Sequence, residues 1–122
     1  MKSVKRKIKT FTIKRPWGYF NQFTKNEDTT VKVHYFRPNS SWSWQYHNHR
    51  AELWVILSGH PVVIIGKKKI KAKPGDEFMV ARLEKHRVET KNDHVQILEI
   101  CYGDFNEEDQ VRLEDKYGRV KK

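Results

Sequence analysis

At 122 residues the chain is long enough for one domain with a real core and too short for two ordinary ones. Its single cysteine, Cys101, excludes an intramolecular disulfide, and no apolar run near the N-terminus has the length of a signal peptide or membrane span, so a soluble, cytoplasmic protein is expected. The formal charge of +10 raises nucleic acid as a partner, but Lys2, Lys5, Arg6, Lys7, Lys9, Lys14, Arg15, Arg119, Lys121 and Lys122 sit at the ends, and the rest balances at 15 basic against 15 acidic residues.

Residues 1–14 read as a basic N-terminal arm, 15–119 as one domain and 120–122 as a basic tail. Apolar and polar residues alternate, and no segment keeps a 3.6-residue period over helical length. The predicted strands are 11–14, 19–23, 30–36, 41–47, 52–57, 61–65, 69–73, 77–80, 86–90 and 95–102, separated by turns such as Arg37-Pro38-Asn39-Ser40, Ser58-Gly59-His60-Pro61 and Lys73-Pro74-Gly75-Asp76. Short strands at this spacing predict an all-β chain, a closed barrel or jelly roll. Beyond them, 106–111 reads as one helical turn capped by Asn106, with Glu107, Glu108 and Asp109 near its positive end.

Lys67, Lys68, Lys69, Lys71 and Lys73 fall in a predicted hairpin and read as a solvated edge that resists strand pairing. A nucleic-acid groove would interleave basic and aromatic residues across the body, and this sequence does not, so nucleic acid is not the expected partner. The basic arm is a separate candidate for an acidic partner, with a solvated or swapped strand as its simpler reading.

On the strand 41–47, Trp42, Trp44 and Tyr46 fall on one face and Ser43, Gln45 and His47 on the other. The aromatic side suits a subunit contact, and a homodimer is expected. On 52–57, Glu52, Trp54 and Ile56 oppose Leu53, Val55 and Leu57. A carboxylate opening so apolar a strand needs a partner, because a buried unpaired charge is costly. That partner is a metal ion, or else Arg50 or Arg87. His-x-His followed by Glu, counted from His47 and His49, would need Glu at 53 or 54, where Leu53 and Trp54 stand. Gln45-x-His47 followed by Glu52 fits, and His86 is the best-placed distant donor. The set Gln45, His47, Glu52 and His86 combines N and O donors without thiolate, which suits a divalent ion such as Zn, Mn, Fe, Co or Ni and leaves room for solvent.

The run Gln45-Tyr46-His47-Asn48-His49-Arg50-Ala51-Glu52-Leu53-Trp54, ending at Ser58-Gly59, resembles the signature of the type II mannose-6-phosphate isomerase family, whose domain is a cupin. Arg15-Pro16-Trp17-Gly18-Tyr19, Lys85-His86-Arg87, Gly103-Asp104-Phe105 and the segment 111–119 extend the resemblance over nearly all the chain after residue 14. It implies a cupin double-stranded β-helix, a jelly-roll barrel, with a divalent metal inside. It also implies interconversion of mannose 6-phosphate and fructose 6-phosphate, a reaction serving polysaccharide biosynthesis. Many members join this cupin to a sugar-nucleotide transferase domain; none is present in this sequence, so only the isomerase half is expected. Asn48 replaces a frequent histidine, Leu53 replaces the usual histidine of Glu-His-Trp, and Val80-Ala81-Arg82-Leu83-Glu84 stands where a Pro-x-Gly turn is common. The change at Leu53 bears on catalysis more than on metal binding.

Moving a proton between C1 and C2 through an enediol requires a base. Glu99, on one face with Val95 and Ile97, and Glu84 are the candidates, Glu99 being equally readable as a buried partner of Arg50 or His49. For the phosphorylated sugar, Arg50, Lys85 and Arg87 are the candidate phosphate cations, or alternatively rim ion pairs, and His49 is the further substrate-facing residue. The competing function is a cupin that keeps the metal and binds a sugar or nucleotide sugar without turning it over.

Overall fold

The computed structural model describes residues 8–103, 105, 106 and 108–120. Expectations placed on residues 1–7, Asp104, Glu107, Lys121 and Lys122, part of the basic arm and tail among them, lie outside the described residues. The strands are β1 (Phe11–Arg15), β2 (Gly18–Gln22), β3 (Thr29–Phe36), β4 (Trp44–Tyr46), β5 (Arg50–Ser58), β6 (Val62–Ile65), β7 (Lys68–Lys71), β8 (Glu77–Val80), β9 (His86–Glu89), β10 (Val95–Gly103) and β11 (Val111–Glu114). No helix among the described residues is long and apolar enough to cross a membrane.

Two antiparallel sheets carry the fold, one in the order β3-β10-β5-β8 and the other β11-β4-β9-β6-β7, with β1-β2 a separate hairpin. Phe36, Trp54, Ile56, Val80, Val95 and Ile97 from the first meet Val63 and Val88 from the second in one core, because strands with one apolar face are stable only when that face is covered. Fully burying side chains of this size contributes about 1.5–3 kcal/mol each. The hairpin is mostly exposed and adds little by comparison. At the far edge of the second sheet, Lys68, Lys69, Ile70 and Lys71 of β7 are all exposed, so the lysines do stand on a solvated edge strand.

The outer face of the first sheet has a smaller core of its own. Leu53, Ile100 and Tyr102 pack there under Ile8 and Phe23, and the Tyr102 hydroxyl donates to the Phe23 carbonyl at 2.9 Å. Leu53 is thus on the opposite face of β5 from Glu52 and Trp54.

Three expectations are corrected. The strand 41–47 is interrupted: Ser41 bridges to Glu89 and regular pairing resumes only at Trp44. Alternation fails across the break, so Trp42 turns inward onto Trp54, Phe36 and His34, at ring-centroid distances of 5.2, 5.3 and 4.9 Å. The aromatic row expected as a subunit contact therefore loses its first member, while Trp44 and Tyr46 stay half-buried. Second, the described residues of 106–111 make one capped turn but no helix. Asn106 does cap, accepting from the Glu108 amide at 2.9 Å, and its carbonyl accepts the Asp109 amide at 2.9 Å, but a single turn does not propagate unaided and the chain enters strand pairing at Val111. Third, it extends into β11, an unanticipated strand that pairs with β4.

Gly59, at φ +83°, closes the turn between β5 and β6, where an added Cβ would lie 2.3 Å from the His94 carbonyl oxygen and 2.8 Å from Val95 Cγ2. Both the left-handed backbone and the contact exclude a side chain. Gly59→Ala is expected to cost about 1–3 kcal/mol, measured as a lower denaturant midpoint; an unchanged midpoint would show that this turn yields freely.

Candidate metal centre

Glu52, the third residue of β5, points inward and is 1% exposed. Its neighbours come from the opposite sheet: His86 opens β9, and His47 follows β4. The ligand atoms of His47, Glu52 and His86 all lie within 4.8 Å of one another, and the two imidazoles are 5.0 Å apart between centroids. Opposing sheets thus deliver two nitrogens and a carboxylate to one buried point.

Hydrogen bonds on the far side of each ring fix the tautomers. His47 Nδ1 lies 2.6 Å from the Asp109 carbonyl oxygen and His86 Nδ1 lies 2.9 Å from that of Glu84. A carbonyl only accepts, so both Nδ1 atoms carry the proton and both Nε2 atoms present a lone pair. His86 Nε2 is buried with no hydrogen-bond partner, and His47 Nε2 lies 3.2 Å from Glu52 Oε2. Arg50 Nη2 lies 3.3 Å from His47 Nε2 and serves part of this cluster, while the unmet His86 Nε2 and the pairing of N with O donors suit a divalent cation. The residues fit a divalent metal; they do not fix which. A second grouping shares Glu52 with Glu99 and Cys101, but burial pushes the Cys101 thiol well above its usual range, whereas a thiol must ionise to ligate.

Surrounding contacts hold the carboxylate in place. Trp54 Nε1 donates to Glu52 Oε1 at 2.9 Å, and Arg50 Nε donates to Oε2 at 2.8 Å. Burial works against ionising Glu52, but a hydrogen bond shared with Glu99, the adjoining His86 and His47 rings and the Arg50 guanidinium outweigh it and hold the group at about 2. Burial lowers His47 to about 4, against partial opposition from Glu52, and lowers His86 as well. Both rings are therefore neutral, as ligation requires. Trp54→Phe keeps the ring packing and removes the bond to Glu52. It is expected to weaken metal affinity about 10–100-fold, read by competition with a chromophoric chelator; equal affinity would show that the indole only fills space.

A polar cavity of about 220 Å³ adjoins the cluster, with Gln45, Arg50 and Glu99 in its wall. The family description "Mannose-6-phosphate isomerase C-terminal" matches residues 3–115. The chain belongs to this family.

Relatives of this mannose-6-phosphate isomerase C-terminal domain include the xanthan biosynthesis protein XanB of Xanthomonas campestris pv. campestris, 30% identical over 108 residues, covering 87% of this chain and 23% of that one. The mannose-1-phosphate guanylyltransferase ManC of Salmonella typhimurium is 34% identical over 109 residues, covering 87% and 22%. The chain spans less than a quarter of the length of these relatives. A solved Klebsiella pneumoniae protein with a double-stranded β-helix domain superposes with a TM-score of 0.58 at 17% identity, over 66% of this chain and 71% of that one. The all-β fold is thus related to the double-stranded β-helix of cupins.

In this isomerase-family domain the residues singled out from sequence fall in different places. Gln45 is buried and paired in register with His86, but its Oε1 accepts from Ser43 Oγ at 2.6 Å and from Gln110 Nε2. Glu99 is buried, with Oε1 2.9 Å from His34 Nε2, and burial followed by the nearby Glu52 raises its pKa. The Glu84 carboxylate instead accepts from the Ala81 amide at 3.0 Å, closing the loop in which Leu83 adopts φ 69°. Of the three proposed phosphate cations only Arg50 reaches the cavity. Lys85 is exposed, and Arg87 lies among Glu89 and Glu114, at 3.8 and 3.4 Å. His49 is exposed beside Asn48 and Asp109 in a separate surface hollow.

Several site residues escaped the sequence reading. Asp109 accepts the Asn48 and His49 amides at 2.9 and 2.8 Å while its carbonyl orients His47. Lys32, His34, Arg112 and Arg119 also line the cavity. A signal for two of them existed: β3 buries Lys32 and His34 more than it buries Val31, Val33 and Tyr35, and such an inverted strand marks a polar interior.

Proposed function

We propose that this domain is a metal-dependent isomerase interconverting mannose 6-phosphate and fructose 6-phosphate. The observation that carries the reading is the convergence of two Nε2 lone pairs and the Glu52 carboxylate beside a polar cavity containing Glu99. A divalent ion held by His47, Glu52 and His86, with Gln45 joining if its amide turns from Ser43, supplies Lewis-acid polarisation of the sugar oxygens. The chain's own residues do the rest.

Glu99 takes the proton from C2 of the aldose and returns it to C1, while the hydroxyl proton moves from O2 to O1, so that aldose and ketose balance. His34, bonded to Glu99, keeps that carboxyl oriented toward the cavity. Trp42 and Trp54 wall the site with apolar surface and limit water around the enediol. Leu53 does not weigh against turnover, because it packs in the outer core with Ile100 and Tyr102.

A non-catalytic sugar binder is the second reading, favoured by the Arg50–Glu52 ion pair at 2.8 Å, which satisfies the carboxylate without a metal. A coupled assay of mannose 6-phosphate isomerisation across a panel of divalent ions separates the two. Metal-dependent turnover supports the isomerase; sugar-phosphate binding without turnover under every ion would replace it with the binder.

A further inference from the structure

We propose that the substrate phosphate is bound by the C-terminal strand, through Arg112 with Arg119 and Lys32, rather than by the cations flanking His86. This rests on the isomerase reading for the identity of the sugar phosphate, and on the cavity for the anion site itself.

The register of the second sheet pairs Arg112 with Gln45 and Gln45 with His86. Directly opposed residues of antiparallel strands share a face, with Cβ atoms about 5 Å apart. Arg112, Gln45 and His86 therefore form one inward row, from the C-terminal strand to the metal cluster. At its far end Arg112 stands in the cavity wall, its Nη2 donating to Gln110 Oε1 at 3.0 Å. Its Nε is buried without an acceptor, a costly state that an anionic oxygen relieves.

Arg119 and Lys32 line the same cavity, Arg119 being steadied by Asp115 at 2.8 and 3.0 Å. Arg50, the remaining cation of the wall, is bonded to Glu52. Glu99 is the one carboxylate in the wall among the described residues. A phosphomonoester carries about two negative charges at neutral pH, and guanidinium forks match its oxygens in pairs. The segment 111–119, used by neither the metal nor the proposed base, thereby acquires a function.

The test titrates the metal-loaded full chain with inorganic phosphate by calorimetry, alongside the isomerase assay. Arg112→Met is expected to weaken phosphate binding about 10–100-fold and to raise KM for mannose 6-phosphate similarly, with metal content and melting temperature unchanged. Arg112→Lys should recover part of the loss, and Arg87→Met should bind as the unmodified protein does. Unchanged phosphate affinity in Arg112→Met and in the Arg112→Met, Arg119→Met double variant would overturn the assignment, as would loss of binding in Arg87→Met alone. Phosphate bound through Arg112 by a protein that isomerises nothing would sustain the anion site and remove the isomerase reading.

Discussion

Replacing His86 by alanine is expected to leave the purified protein with far less than one divalent ion per chain, and His47→Ala to do the same. Each ring offers its Nε2 because its Nδ1 is tied to a backbone carbonyl, from Glu84 and Asp109 respectively. Loss of an orienting partner alone costs about 10–100-fold in metal affinity, so loss of a ligand should cost more than about 100-fold. Elemental analysis after dialysis decides the matter, and full loading of both variants would sink the assignment. Acid should act on the metal-free protein through the same rings. The unfolded chain protonates its histidines near 6.5, whereas the folded protein holds His47 at about 4. Between those values the unfolded state binds protons that the folded state refuses, so stability is full above about pH 6.5 and declines as pH falls toward 4.

Glu99→Gln is expected to lower kcat for mannose 6-phosphate isomerisation by about 10²–10⁴ while leaving the metal in place. Glutamine preserves size and can still bond to His34, but it cannot carry the proton between carbons. Glu84→Gln should differ in kind: its carboxylate closes the loop before His86 by accepting from Ala81, so the change should act on stability more than on kcat. A Glu99→Gln enzyme with kcat close to the unmodified protein would place the base elsewhere.

Much of the fold was readable because strand faces are a local property. The alternation along β5 and β10 put Glu52 with Trp54 and Ile56, and Glu99 with Val95 and Ile97, and the structure buries both groups inward. The exceptions lie where tertiary contacts outweigh pattern. Trp42 joins the inner core because the strand breaks before Trp44, and the turn from Asn106 to Asp109 does not continue as a helix while Asp109 accepts the amides of Asn48 and His49. Arg87 neighbours His86 in sequence, yet consecutive strand residues face opposite ways, and it pairs with Glu89 and Glu114.

By itself, the sequence determined an all-β chain and the register in which His47 and Glu52, rather than His49, are ligand candidates, since spacing along a strand sets which side chains share a face. Only the tertiary structure decided which distant atoms share that space. It brought His86 to Glu52 across the sheets, set the Asp109 carbonyl behind His47, covered the outward-facing Leu53 with Ile8 and Phe23 and carried Arg112 to the cavity. These placements depend on pairings between residues far apart in the chain, which local periodicity does not encode.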